Sequence, residues 1–188
     1  MVAGKFRGRK LQAPHGFDTR PSTGRMRQGM FSVLGDITGA RVADLCAGSG
    51  SLGIEALSRG AVHVTFVDSS PAAVAVIRAN LASLGLGPRS TVITKTLERC
   101  GGELNVEPFD IIFCDAPWGR LPAIERALRK LLNIALLTRT GVLVLGHPAA
   151  QAPHPPGPKL ELIDRRKWGD SGVSFFREHL TESAHLNP

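Results

Sequence analysis

An α/β domain built on a doubly wound, mostly parallel sheet is the fold this sequence predicts, on three observations. Short apolar runs alternate with segments of helical period, a glycine-rich turn joins the first such pair, and three of the runs carry an acid at or near their carboxyl end, at Asp44, Asp68 and Asp115. Ligands of such sheets bind beyond the carboxyl ends of the strands, so acids placed there face a site. With 188 residues, 43% of them hydrophobic, the chain suffices for one soluble domain core, and no apolar run approaches the ~20 residues of a membrane span.

The elements follow in order. Residues 4–14, GKFRGRKLQAP, read as a short extended or hairpin segment. Pro21 suits a first helical position, and Met26, Met30, Val33 and Leu34 then share an apolar face that turns Arg25 and Arg27 away from the core. RVADLC (41–46) is a buried strand, LGIEALSRG (52–60) its following helix, and VTFVD (64–68) a second strand. Ser70 and Pro71 open a helix whose face is Val74, Ile77, Leu81 and Leu84, stopped by Gly85. TVITK (91–95) is the third strand, and IIFC runs as the fourth into Asp115. IERALRKLLNIALL (124–137) places Ile124, Leu128, Leu131 and Ala135 on one helical side, ahead of the strand GVLVLG (141–146). QAPHPPGP (151–158) is a loop, LELIDRRKWG and VSFFREHL form an antiparallel pair around Asp170, Ser171 and Gly172, and ESAHLNP reads as a frayed end. Seven strands result. The organisation expected is a basic arm over 1–35, hairpin plus helix, on a catalytic domain over 36–188.

Of the net charge of +7, residues 1–30 hold +6, from Lys5, Arg7, Arg9, Lys10, Arg20, Arg25 and Arg27 against Asp18. A polyanion, with nucleic acid first, is the partner this asymmetry suggests. Cys46, Cys100 and Cys114 form no C-x-x-C pair and have no His at ligand spacing, which argues against a disulfide framework or a zinc site and for small buried thiols. Lys5, Arg7, Arg9 and Lys10 lead into Gln-Ala-Pro-His rather than an apolar segment, so a cytoplasmic protein is expected.

Gly48, Gly50 and Gly53 form G-x-G-x-x-G between strand and helix, where backbone can approach a ligand closely, with Ala47 and Ser49 in the same turn. Asp68, beside Ser69, falls 20 positions after Gly48, where a carboxylate can take both hydroxyls of an adenosine ribose. Asp44 selects among adenosine cofactors. A dinucleotide's pyrophosphate needs bare amides and would be repelled by this acid, whereas the ammonium and sulfonium of S-adenosylmethionine suit it.

DLCAGSGSLGIEALSRGA, Asp68 and the sequence D-A-P-W (115–118) resemble class I methyltransferases, with their Rossmann-like sheet. The resemblance is strongest to the family that methylates the N2 amine of a guanine in bacterial 16S ribosomal RNA. It extends to GKFRGRKLQAP, RPSTGRMRQGMFSVL and RRKWGDSGVSFF, and so covers nearly the whole chain. It implies a monomer that needs no metal and acts on 16S RNA or the small subunit particle. Ala116 stands where the family usually has proline, Trp118 where it has Tyr or Phe, and Gly24 and Gln28 where it has acids. No acid at Thr96 or Leu97 follows the third strand, which leaves the adenine amine to the backbone of Leu97 or weakens binding.

An exocyclic amine is a poor nucleophile because its lone pair is delocalised into the ring. Asp115 accepting one N–H and a carbonyl of Ala116 or Pro117 accepting another would let the nitrogen pyramidalise, while Trp118 stacks on the extruded base. The expected phosphate contacts are Arg7, Arg9, Arg20, Arg25 and Arg27. Other chemistries fit less well. Cytosine-C5 methyltransferases use Cys after Asp-Ala-Pro, where this chain has Trp118, and Cys114 should point away from the face of Asp115. No pairing of His with a nucleophile is visible along the chain. The two competing readings are a non-catalytic RNA-binding relative, motivated by Ala116, Gly24 and Gln28, and an NAD-dependent oxidoreductase; methylation of an N6-adenine in RNA or DNA is the nearest variant of the main one.

Overall fold

The strands β1 (Arg41–Leu45), β2 (His63–Asp68) and β4 (Phe109–Cys114) are apolar on both faces because each lies in the middle of a sheet covered on both sides. The computed structural model describes residues 1–13, 24–104, 107–133 and 136–179. With β3 (Ser90–Thr94), β5 (Leu137–Pro148), β6 (Leu160–Trp168) and β7 (Ser171–Glu178), the strands form one seven-stranded sheet in the order β3-β2-β1-β4-β5-β7-β6. β1 to β5 pair in parallel, and β7 is antiparallel to both β5 and β6. The order reverses between β1 and β4, so the crevice at that switch point opens where Asp44 and Asp115 lie.

Helices α1 (Gly24–Leu34), α2 (Ser51–Ser58) and α3 (Pro71–Ser83) cover one face, where Met30, Phe31, Ile54 and Ile77 pack on Val42, Phe66 and Phe113. α4 (Gly101–Leu104) and α5 (Leu121–Leu132) cover the other, where Leu104, Ile124 and Leu128 meet Ala43, Ile112 and Leu143. Strand alternation divides the two cores: Cys114 belongs to the second, as its opposition to Asp115 requires. Ser70 caps α3 by accepting the Ala73 N–H, with Pro71 at the first position, as its sequence predicts.

Several expectations need correction. Residues 1–13 contain no strand; the expected hairpin is a run of turns laid on α2 and α3. Val2 and Ala3 donate to the fully buried Glu55 carboxylate (both 2.8 Å), and Lys5 N–H donates to the Ser58 carbonyl (2.8 Å). Gly4 (φ 73°) is needed there, since a Cβ would lie 1.9 Å from the Ser58 carbonyl oxygen. The helix expected over 124–137 runs instead from Leu121 to Leu132, because Leu137 is already paired with Phe109 and β5 extends from it to Pro148. α4 was not anticipated, and Cys46 is only half-buried, unlike Cys100 and Cys114. On α1, Met26, Met30 and Phe31 are buried while Val33 and Leu34 are only partly so. Pro21, Ala135 and the C-terminal ESAHLNP lie outside the described residues.

Candidate active site

The chain leaves β1 through a turn that visits the left-handed region at Cys46 (φ 61°), Gly48 (φ 56°) and Gly50 (φ 76°). Among the described residues Cys46 is the sole non-glycine there, a strained geometry held by its surroundings. Two acids hold the turn. Asp44 accepts the Gly53 N–H from the first turn of α2 (2.8 Å), and Asp68 accepts the Gly48 N–H (2.8 Å) and the Ser70 N–H (2.9 Å). Gly53 must be glycine because a Cβ would fall 2.4 Å from the Phe66 ring, so α2 sits hard against β2.

Asp44, Ala47, Gly48, Ser49, Asp68, Ser69, Leu97, Asp115 and Pro117 line one cavity of about 290 Å³. Gly50, Gly53, Ala116 and Trp118 do not line it: the first two shape the turn, Ala116 is buried in the core, and Trp118 is 39% exposed at the start of a 3₁₀ turn that leads into α5. Asp115 reaches the cavity because β5 has Gly146 beside it, where a Cβ would lie 2.2 Å from the carboxylate oxygen. Pro117 (φ −55°, ψ 130°) turns the chain immediately afterwards.

Desolvation pushes the Asp115 carboxyl up to about 6. Asp44, 2% exposed, is pushed to about 8, by burial first and then by the Asp115 and Asp68 charges, against the opposing Gly53 hydrogen bond. Asp44 and Asp115 thus resist their own ionisation, a cost that a cation relieves, so the cavity fits the ammonium and sulfonium of S-adenosylmethionine.

The cavity also contains residues that sequence reasoning missed. Val67 and Ile124 add to the apolar wall made by Leu97, and Glu98 and Arg120 stand at its edge. Glu98 is the acid thought lacking after the third strand; it lies one position beyond Leu97, with its carboxyl lowered by hydrogen bonds from its own backbone and from the Thr96 side chain. Of the predicted RNA contacts, Arg7, Arg9 and Arg25 are exposed, and Arg20 lies outside the described residues. Arg27 does not turn away from the core: it is half-buried, and desolvation lowers its pKa against the attraction of Glu55.

His147 and Ser174, remote in sequence, meet at 3.0 Å, but both are buried and Arg165 also donates to the Ser174 hydroxyl (3.1 Å), so the pair braces strands rather than facing a cavity. No group of three His, Cys, Asp or Glu suited to a metal occurs among the described residues, and no helix among them is long and apolar enough to cross a membrane.

The family model described as conserved hypothetical protein 95 matches residues 1–177. The putative rRNA methyltransferase YlbH of Bacillus subtilis (strain 168) is 32% identical over 186 residues, spanning 95% of this chain and 98% of that one. The ribosomal RNA small subunit methyltransferase D of Escherichia coli (strain K12) is 36% identical over 121 residues, 64% of this chain and 60% of that protein. Among solved structures, the putative methyltransferase yhhF from Escherichia coli superposes with a TM-score of 0.79 at 27% identity, covering 95% of this chain and 97% of the other. With its strand order, its acid-bounded glycine turn and a family match over almost its whole length, the chain belongs to the conserved hypothetical protein 95 family, a group of S-adenosylmethionine-dependent class I methyltransferases that resemble ribosomal RNA small subunit methyltransferase D.

Proposed function

We propose that this protein transfers a methyl group from S-adenosylmethionine to the exocyclic N2 amine of a guanine in 16S ribosomal RNA, as free RNA or within the small subunit particle. One observation carries the reading: Asp115 and Pro117 open onto the same cavity as the acid-bounded glycine turn. When bound, S-adenosylmethionine supplies a methyl group already activated on a sulfonium. The buried Asp44 suits its ammonium end, Asp68 its ribose, Leu97, Val67 and Ile124 the faces of its adenine, and Glu98 the adenine amine.

Asp115 accepts one N–H of the target amine and the carbonyl of Ala116 or Pro117 accepts the other, which localises the nitrogen lone pair. A carboxyl near 6 is mostly ionised at neutral pH, yet basic enough to receive the proton that the amine sheds. Trp118 offers an exposed indole on which the extruded base can stack, returning roughly 1–3 kcal/mol of the unstacking cost. Arg7, Arg9 and Arg25 present exposed charge to phosphates.

Methyl transfer from labelled S-adenosylmethionine to small subunits lacking the modification, to naked 16S RNA and to duplex DNA tests this, with products identified by nucleoside mass spectrometry. N2-methylguanosine formed by the wild type and absent with Asp115→Ala is the expected result. N6-methyladenosine as product would overturn the base assignment. Cofactor binding without transfer to any substrate would favour a non-catalytic RNA-binding role.

A further inference from the structure

α3 buries an asparagine on the face it turns to the protein: Asn80 is 2% exposed, between Ile77 and Leu81 of the core. A buried amide costs free energy unless its groups are bonded, so its partners indicate its use. Its Oδ1 accepts the Gln12 N–H (2.8 Å), and its Nδ2 donates to the Gln12 carbonyl (3.1 Å) and to the Ser49 carbonyl (3.1 Å). One side chain therefore pairs with both backbone groups of a strap residue and with the glycine turn. Ala13, the next residue of the strap, lines the cavity together with Ser49. The rest of the strap is held by two further buried polar groups, Glu55 and Ser58 of α2; the Ser58 hydroxyl accepts the Phe6 N–H (2.9 Å) and donates to the Ala3 carbonyl (2.7 Å).

We infer that residues 1–13 form a strap that closes one wall of the cofactor cavity, and that Asn80 is the positioning residue that latches this wall to the glycine turn. The strap and the turn then order together, so a ligand that fixes Ser49 also tightens Gln12 and Ala13, and a loosened strap weakens the ligand. This gives the basic N-terminal segment a role toward the cofactor that is separate from any contact with RNA. It rests on the reading of that cavity as the cofactor site, and is independent of which amine is methylated.

Isothermal titration with S-adenosylhomocysteine, combined with hydrogen exchange of the peptide containing Gln12 and Ala13, tests it on the full chain. Asn80→Ala should weaken binding by roughly tenfold. Asn80→Leu, which fills the buried volume and guards against loss of the fold, should do the same. In the wild type the ligand should slow exchange of the strap, and in both variants it should no longer do so. A residue that merely supported α3 would leave affinity and ligand-dependent protection unchanged, and that result in Asn80→Leu overturns the proposal. Leu97→Trp, which fills the cavity, separates the two levels: if it too leaves affinity unchanged, the cavity reading itself fails, whereas lost binding there beside unaltered Asn80 variants refutes only the latch.

Discussion

Replacing Asp44 by Asn should stabilise the unliganded protein while abolishing most of its affinity for the cofactor. The Asp44 carboxyl titrates near 8 in the folded protein against an ordinary value of 3.8. Below pH 3.8 both folded and unfolded chains hold this proton. Between there and about 8 the folded chain keeps a proton that the unfolded chain releases, so this group's contribution to stability falls as pH rises, by 1.36 kcal/mol per unit, and levels off above the folded value. At pH 7 the accumulated penalty is about 4 kcal/mol. Asn keeps an acceptor for the Gly53 N–H but introduces an amide nitrogen whose incomplete bonding returns about 1–3 kcal/mol of that gain. Urea denaturation of both proteins at several pH values from 4.5 to 8 measures the balance. The stability difference in favour of Asn should widen with pH and reach about 1–3 kcal/mol near neutrality, while calorimetry with S-adenosylmethionine shows affinity reduced by more than about tenfold. A difference that stayed flat or narrowed with rising pH would refute the argument that burial and like charges hold a proton on Asp44.

Three further outcomes follow from the same geometry. Binding of S-adenosylmethionine at pH 7 should release a proton from Asp44 as the cation arrives, seen as a dependence of the calorimetric heat on the buffer's ionisation enthalpy, and Asp44→Asn should lose that dependence. Trp118→Ala should raise KM for RNA by about tenfold and leave the affinity for S-adenosylhomocysteine unaltered, because the indole lies outside the cofactor cavity. Arg25→Ala should reduce the salt slope of RNA binding by about one, whereas Arg27→Ala, at a half-buried position beside Glu55, should leave the slope and lower the melting temperature by several degrees.

The sheet and its acids were legible because local patterns carry them. The central strands are apolar runs broken by turn residues, and Asp44, Asp68 and Asp115 lie at or next to the carboxyl ends of three of them. Local pattern cannot report contacts that cross the fold, and the errors fall there. A basic arm with no apolar period looks free, yet Glu55, Ser58 and Asn80, one or two helices away, hold it by its backbone. Arg27 follows the helical spacing of an outward residue but lies half-buried, within the field of Glu55 on α2. Glu98 escapes a reading confined to the strand's end because the turn after β3 carries its acid one residue beyond Leu97. The signatures at the two ends of the chain also acquire a physical meaning. Gly29 of α1 packs beneath Trp168 of β6, where a Cβ would lie 2.1 Å from the indole, and Gly172 of β7 makes room for the ring of His147. These glycines join the outer helix and the edge hairpin to the sheet, and neither touches the cofactor cavity.

The substitution of alanine for proline at position 116 can be weighed in the same terms. A first proline would fix φ of that residue and remove its N–H, while leaving its carbonyl. Ala116 keeps the carbonyl, is buried in the same core as Leu97 and Ile124 without itself lining the cavity, and precedes Pro117, whose ring already confines the residue before it to extended conformations. Pro117 itself lines the cavity, with φ at −55°, and Gly146 leaves Asp115 the space it occupies. These constraints on the corner are independent of the missing ring. What alanine gives up is φ rigidity at one residue whose side chain the core already holds, and a site weakened only in this way keeps the carboxylate and carbonyls on which the proposed amine transfer relies.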